Sequence, residues 1–164
     1  MSRGIFTSAC PTAAELNDCF DPPRCRVYNN ANIAITTATD TALTFNSESF
    51  DVGAMHSTST NTGRITIPTG GAGTYLVQAT ILFAGNATGY RRLWITQNGA
   101  TVGHDSNRMA LAGASTGLNV QVLTQCQDGD ILELYCFQDS GGNLNVVTDS
   151  VYSPSFAAMW MAVN

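Results

Sequence analysis

The chain contains no lysine: its seven cationic side chains are all arginine, at positions 3, 24, 26, 64, 91, 92 and 108. Charged residues of either sign amount to 12% of the 164, and the net charge is −5. Binding nucleic acid requires a basic stripe that displaces counterions from phosphates, so this composition argues against nucleic acid as the main partner. No stretch approaches the ~20 consecutive apolar residues of a membrane-spanning helix, and no membrane partner is expected. The five cysteines, at 10, 19, 25, 126 and 136, include no C-x-x-C pair, which argues against a zinc site. The opening "MSRGIFTSACPTAAELND" lacks an apolar core of the length that a secretory leader needs. The expectation is synthesis in a cytoplasm, mostly reduced thiols and no obligatory disulfide framework. The sequon Asn86-Ala87-Thr88 is then a chance match.

With so few charges, the surface must be dressed with Thr, Ser, Asn and Gln. Low charge beside 44% hydrophobic residues also hints at surface buried in an assembly. A chain of this length suits one domain, burying roughly 70% of its unfolded surface. Residues 1–24 differ from the rest. "PTAAELNDCFDPP" reads as a short helix, with Thr12 as N-cap, Glu15 at the capping-box spacing and Pro22-Pro23 as the stop. About two turns of helix are marginal alone, so this arm must dock, either on its own domain or on a neighbouring subunit or larger scaffold. Phe6, Leu16 and Phe20 are its candidate attachment residues.

From Cys25 to the end, at residue 164, every signal is β. Thr, Val, Ile and aromatics recur in short runs divided by Gly, Asn and Asp. Asn98-Gly99 in "RLWITQNGATV" is a strong hairpin signal. Asp128-Gly129 in "VLTQCQDGDILELYCF" reads as a second hairpin, and "SGGN" at 140–143 as a third turn. "GTYLVQATILF" alternates, with Tyr75, Val77, Ala79, Ile81 and Phe83 on one face. Nine or ten strands, no long helix and no internal repeat predict an all-β antiparallel jelly-roll sandwich preceded by the short arm.

Motifs of chemistry lack their required context. "GASTG" at 113–117 matches a nucleophile elbow, but a strand follows it and both histidines, His56 and His104, precede Ser115. "TGGAG" at 69–73 opens a strand rather than the helix a phosphate cradle needs. His104-Asp105 and the pair Asp128/Asp130 offer few of the six or more oxygens calcium takes, and carboxylates flanking a glycine also build turns. Arg91-Arg92 reads either as a solvated strand edge or as an intersubunit pair. Tyr90, Trp94 and Trp160 could stack on sugars or be buried in a core or interface. No catalytic residue, metal ligand or cofactor is expected, and the chain is not read as an enzyme.

The final run, "SPSFAAMWMAVN", is the strongest clue to function. As a strand it places Ser155, Ala157, Met159, Met161 and Val163 on one face and Phe156, Ala158, Trp160 and Ala162 on the other. A half-buried strand alternates apolar with polar, but this one is apolar on both faces. One face can cover the domain's own core; the other demands a partner. Phe156, Met159, Trp160 and Met161 are the candidate seam residues, and the sequence leaves open which face is which, because a one-residue slip exchanges them.

Four segments in order carry a resemblance. "GRITIPTGGAGTYLVQATILFA", "RRLWITQNGATV", "LNVQVLTQCQDGDILELYCF" with Gly129-Asp130, and "SPSFAAMWMAV" resemble the trimeric jelly rolls typified by the complement globular head and the tumour necrosis factor family. Ala158 stands where that family usually has glycine, and there is no collagen-like G-X-Y stalk. The wording "TAAELND…FDPPRCRVYNNANI…TALTFNSESFD…HSTSTNTGRIT" looks like the versions carried by bacteriophage structural proteins. The resemblance covers about residues 25–164 and implies a homotrimer with the terminal strand near the threefold axis. It further implies a virion surface protein made in the host bacterial cytoplasm. Such a protein would decorate or cement the capsid by binding the major capsid protein. The alternative is a receptor-binding module at a tail or fibre tip, docked on a tail protein.

Overall fold

The computed structural model describes residues 21–104, 108–110, 113–149 and 151–163. The proposed helix at 12–23 and the arm residues Phe6, Leu16 and Phe20 lie largely or wholly outside them. The described residues form thirteen strands and no helix: β1 (Arg24–Tyr28), β2 (Ile33–Ile35), β3 (Thr41–Ala42), β4 (Ser47–Val52), β5 (Arg64–Thr66), β6 (Gly73–Phe83), β7 (Tyr90–Gln97), β8 (Ala100–His104), β9 (Arg108–Met109), β10 (Thr116–Cys126), β11 (Ile131–Gln138), β12 (Leu144–Val146) and β13 (Ser155–Ala162). The count exceeds the nine or ten expected because five of these strands are only two or three residues long, too short for periodicity to register.

Two antiparallel sheets face each other. The first runs β2-β12-β6-β13-β1-β4, with β10 on the other side of β6; the second runs β3-β11-β7-β8, with β5 on β11 and β9 on β7. The alternation of β6 determines its place. Tyr75, Val77, Ala79, Ile81 and Phe83 are all buried between the sheets, with Leu118 and Val120 of β10 beside them and Leu93, Ile95, Leu132 and Leu134 opposite. Burying each large apolar side chain is worth about 1.5–3 kcal/mol. The buried Tyr75 hydroxyl is satisfied by donating to Gly71 O at 2.8 Å.

The turns separate into two kinds. Asn98 and Gly99, both at positive φ (51° and 81°), close the β7–β8 hairpin with Gln97 opposite Ala100, as a type I′ turn requires. Asp128-Gly129 does not close a hairpin: β10 pairs with β6 and β11 with β7, so the chain crosses from one sheet to the other there. Only Gly129 of the pair has positive φ. The Asp128 carboxylate instead accepts Gly70 N at 2.7 Å and Ala72 N at 2.8 Å, stitching this crossing to the 69–72 loop. "SGGN" is a turn, with Gly141 at φ 88°, and likewise carries β11 of one sheet to β12 of the other.

Candidate subunit interface

The terminal strand β13 lies between β6 and β1, near the middle of its sheet, and its two faces resolve. Phe156 and Ala158 are fully buried in the chain's own core, and Phe156 stacks on Phe45 with ring centroids 5.9 Å apart. Trp160 pairs with Tyr75 on the same side and packs against that core. Its indole Nε1 reaches Ala72 O at 3.5 Å. A methyl group at Gly73 would overlap that ring and Ala162 O, the latter at 2.5 Å, so glycine is what lets the tryptophan cross β6. Phe156 is thus core within a single subunit and has no free surface to give a seam. The other face of β13 carries Ser155, Ala157 and Met159. Met161 sits in the bulge between Trp160 and Ala162 and is 55% exposed.

Register turns this outer face of the sheet into ordered rows. Leu123 of β10 stands opposite Leu76 of β6, which stands opposite Met159 of β13, which stands opposite Arg24 of β1. The row is apolar for three strands and ends in a cation that pairs with Asp21 at 2.7 Å. The next row on the same face is Gln121, Gln78, Ala157 and Arg26, and the one after is Asn119, Thr80, Ser155 and Tyr28. Leu123 is 64% exposed; Leu76 and Met159 are half-buried. Beyond the polar rows, the β12–β13 connection overhangs the face and makes a pocket of about 510 Å³, lined by Arg26, Tyr28, Thr80, Leu82, Asp149 and Tyr152 among others. Asp149 Oδ1 accepts Val151 N and Tyr152 N, both at 2.7 Å, and these bonds hold its carboxyl below the ordinary aspartate range. Val151 and Tyr152 are left projecting, 77% and 53% exposed.

Sequence reading singled out Met159 and Met161 but missed Leu76, Leu82 and Leu123. The signal was present: three leucines on the face of β6 and β10 that alternation otherwise fills with Thr, Gln and Asn.

The residues suspected of chemistry are otherwise employed. Backbone hydrogen bonds, Gly70 foremost, hold Asp128 below the usual carboxylate range. Burial pushes Asp130 up, but donors from Gln127 N, Asn98 Nδ2 and Gln97 Nε2 outweigh it and leave it depressed as well. Both carboxylates therefore act as turn clamps. The amides of the "TGGAG" loop do converge on an anion, and that anion is the chain's own Asp128. No group of three or more His, Cys, Asp or Glu side chains suited to a metal occurs among the described residues. His56 is enclosed, with Nδ1 at 2.9 Å from Glu48 Oε1 and Nε2 at 3.1 Å from Thr62 O. Cys25, Cys126 and Cys136 are free and buried. Trp94 stacks on Tyr135 and Tyr90 on Phe137 across β7 and β11, with Arg92 over Trp94. Neither reading of Arg91 holds: β7 is paired on both sides, and Arg91 is 0% exposed within its own chain.

No protein-family profile and no curated protein matches the chain. Solved structures do. The globular domain of a zebrafish complement 1qA protein is 16% identical with a TM-score of 0.56, the match covering 87% of this chain and 99% of that one. The Eiger TNF of S. frugiperda is 11% identical with a TM-score of 0.57, covering 87% and 95%. Murine APRIL, in a structure at pH 8.0, is 12% identical with a TM-score of 0.59, covering 84% and 99%. The chain therefore has the jelly-roll fold shared by the complement C1q globular domain and the tumour necrosis factor proteins.

Proposed function

We propose that this chain is a homotrimeric structural protein of a bacteriophage virion, decorating or cementing the capsid without enzymatic activity. The observation that carries the assembly is the open sheet face, where Leu123, Leu76 and Met159 form one apolar row across three strands. A solvent-facing sheet surface is ordinarily polar, and an apolar row of this kind is removed from water when copies of the chain close a ring. Met159 and Met161 remain seam candidates; Trp160 supports the seam from the core side. The phage assignment rests on the sequence likeness around 12–66 and on the fold, and a fold alone hosts many functions.

In this reading the protein is made in the host bacterial cytoplasm and resides on the virion surface, with the major capsid protein as partner and the segment 1–24 as the arm that reaches it. The pocket at Arg26 and Tyr152 lies on the face that assembly covers, so the trimer keeps no receptor site there. That favours decoration over the tail-tip alternative. Imaging the virion tests the proposal. Threefold density matching this jelly roll at regular positions on the capsid lattice is the expected result. Density at the tail tip would replace it with the receptor-binding reading, and absence from the particle would overturn both.

A further inference from the structure

Asn98-Gly99 is the only Asn-Gly dipeptide in the chain. In such a pair the glycine backbone nitrogen can attack the carbonyl carbon of the asparagine side chain. The new C–N bond closes a five-membered succinimide, and the side-chain nitrogen leaves as ammonia. Water then opens the ring to aspartate or isoaspartate. Glycine hinders this attack least, because it has no Cβ beside its nitrogen. Both residues are exposed at the tip of the β7–β8 hairpin, where water reaches them freely. By dipeptide and exposure alone, this tip would deamidate.

The reacting amide is held off that path. Asn98 Oδ1 accepts Ile131 N at 2.9 Å, and Asn98 Nδ2, the atom that would leave, donates to Asp130 Oδ1 at 2.8 Å. The Asn98 backbone N also donates to Ile131 O at 2.8 Å. Asp130 is itself pinned, because its Oδ2 accepts Gln97 Nε2 and Gln127 N, both at 2.8 Å. Gln97 extends the clamp to β10: its Oε1 accepts Thr124 Oγ1 at 2.8 Å and its Nε2 reaches Gln125 O at 2.9 Å. To close the succinimide, the Asn98 side chain must swing onto Gly99 N and break both of its bonds. One of them is to a carboxylate, the stronger kind. The product cannot restore the clamp. Deamidation replaces the Nδ2 donor with a carboxylate oxygen facing Asp130, which its own donors keep below the ordinary aspartate range and therefore charged at neutral pH. A hydrogen bond becomes a like-charge contact. Isoaspartate also adds a backbone carbon, which a two-residue turn with Gln97 opposite Ala100 has no room for.

We propose that Asn98 is a latent deamidation site guarded by Asp130: it reacts only when the β7–β8 tip opens, and its conversion then keeps the clamp from re-forming. Opening of this hairpin is thereby recorded as a permanent chemical change. The site lies within a single subunit and is independent of the assembly proposed above.

Peptide mapping by mass spectrometry on the full chain held at about pH 8 tests it, conversion being read as the mass gain from amide to acid. Native protein is expected to convert Asn98 at least about tenfold more slowly than urea-unfolded protein. Asp130→Ala removes the acceptor and should raise the rate in native buffer about tenfold while circular dichroism stays native. Asp149→Asn, a change to a turn clamp in the distant β12–β13 connection, should keep the native rate. Asn98→Asp mimics the product and should melt about 4–8 °C below the native protein. Native conversion as fast as in urea, or an unchanged rate in folded Asp130→Ala, overturns the guard. Native melting in Asn98→Asp overturns the claim that conversion disables the clamp. Should Asp130→Ala fail to fold, the ratio of native to urea-unfolded rates decides.

Discussion

Leu76→Asp separates the proposed seam from the core. Leu76 is half-buried on the open face, flanked by Leu123 and Met159 with no cation opposite it on either neighbouring strand. In an isolated subunit the new carboxylate remains in water. Its cost is the lost partial burial of one leucine and a poorer strand former, about 1–2 kcal/mol together, against a total stability on the order of 5–15 kcal/mol. In a closed trimer three such carboxylates lose water, at several kcal/mol per ion, so the assembly is opposed by on the order of 10 kcal/mol, or about seven decades in equilibrium constant. Sedimentation velocity at low micromolar concentration should show the species fall from three times the 17.4 kDa chain mass to the chain mass. Phe156→Asp supplies the contrast. That side chain is 0% exposed and stacked on Phe45. Truncating such a ring alone costs about 3–5 kcal/mol, and the unpaired buried charge adds several more, so no folded species is expected by circular dichroism. A Leu76→Asp protein that stays a trimer with native melting refutes the open face as the seam; a folded Phe156→Asp protein refutes the face assignment itself.

Gly73→Ala should lower stability by about 1–3 kcal/mol in urea unfolding, because its methyl meets the Trp160 ring and Ala162 O; unchanged stability would show that the end of β13 can detach freely. Asp128, Asp130 and Asp149 titrate below the ordinary aspartate value. The stability they contribute is full above about pH 3.9, the unfolded value, and is lost as pH falls through their lower folded values. The melting temperature should hold from neutral to about pH 5 and drop below about pH 4, less steeply in Asp128→Asn; an equally steep drop in that variant would count against the clamp on Gly70 and Ala72. Burial pushes the Cys126 and Cys136 thiols up to about 12, and Cys25 higher still. Iodoacetamide at pH 8 should therefore leave these three unmodified in native protein and label them after unfolding; native labelling at any of them, mapped by mass spectrometry, would contradict its burial.

Much of this molecule is local, and what is local was legible. Alternation of period two placed Tyr75, Val77, Ala79, Ile81 and Phe83 on one buried face without knowledge of a partner strand. Asn98-Gly99 specified its hairpin, because few dipeptides tolerate two successive positive φ angles. The terminal strand was legible as one that is apolar on both faces. What escaped the sequence depends on pairing between distant segments. Asp128-Gly129 carries the same turn chemistry as a hairpin, but its neighbours pair with β6 and β7, so only the sheets reveal a crossing. The two faces of β13 are chemically alike, and they became distinct only when Trp160 was set opposite Tyr75 and Met159 opposite Leu76. Arg91 looks like any surface arginine in the chain and is buried because the alternation of β7 turns it, with Leu93 and Ile95, toward the core. A side-chain period states that two faces differ; register, which fixes which residues share a row, is a property of strands far apart in sequence, and it alone decides which face meets the core and which lies on the open side of the sheet.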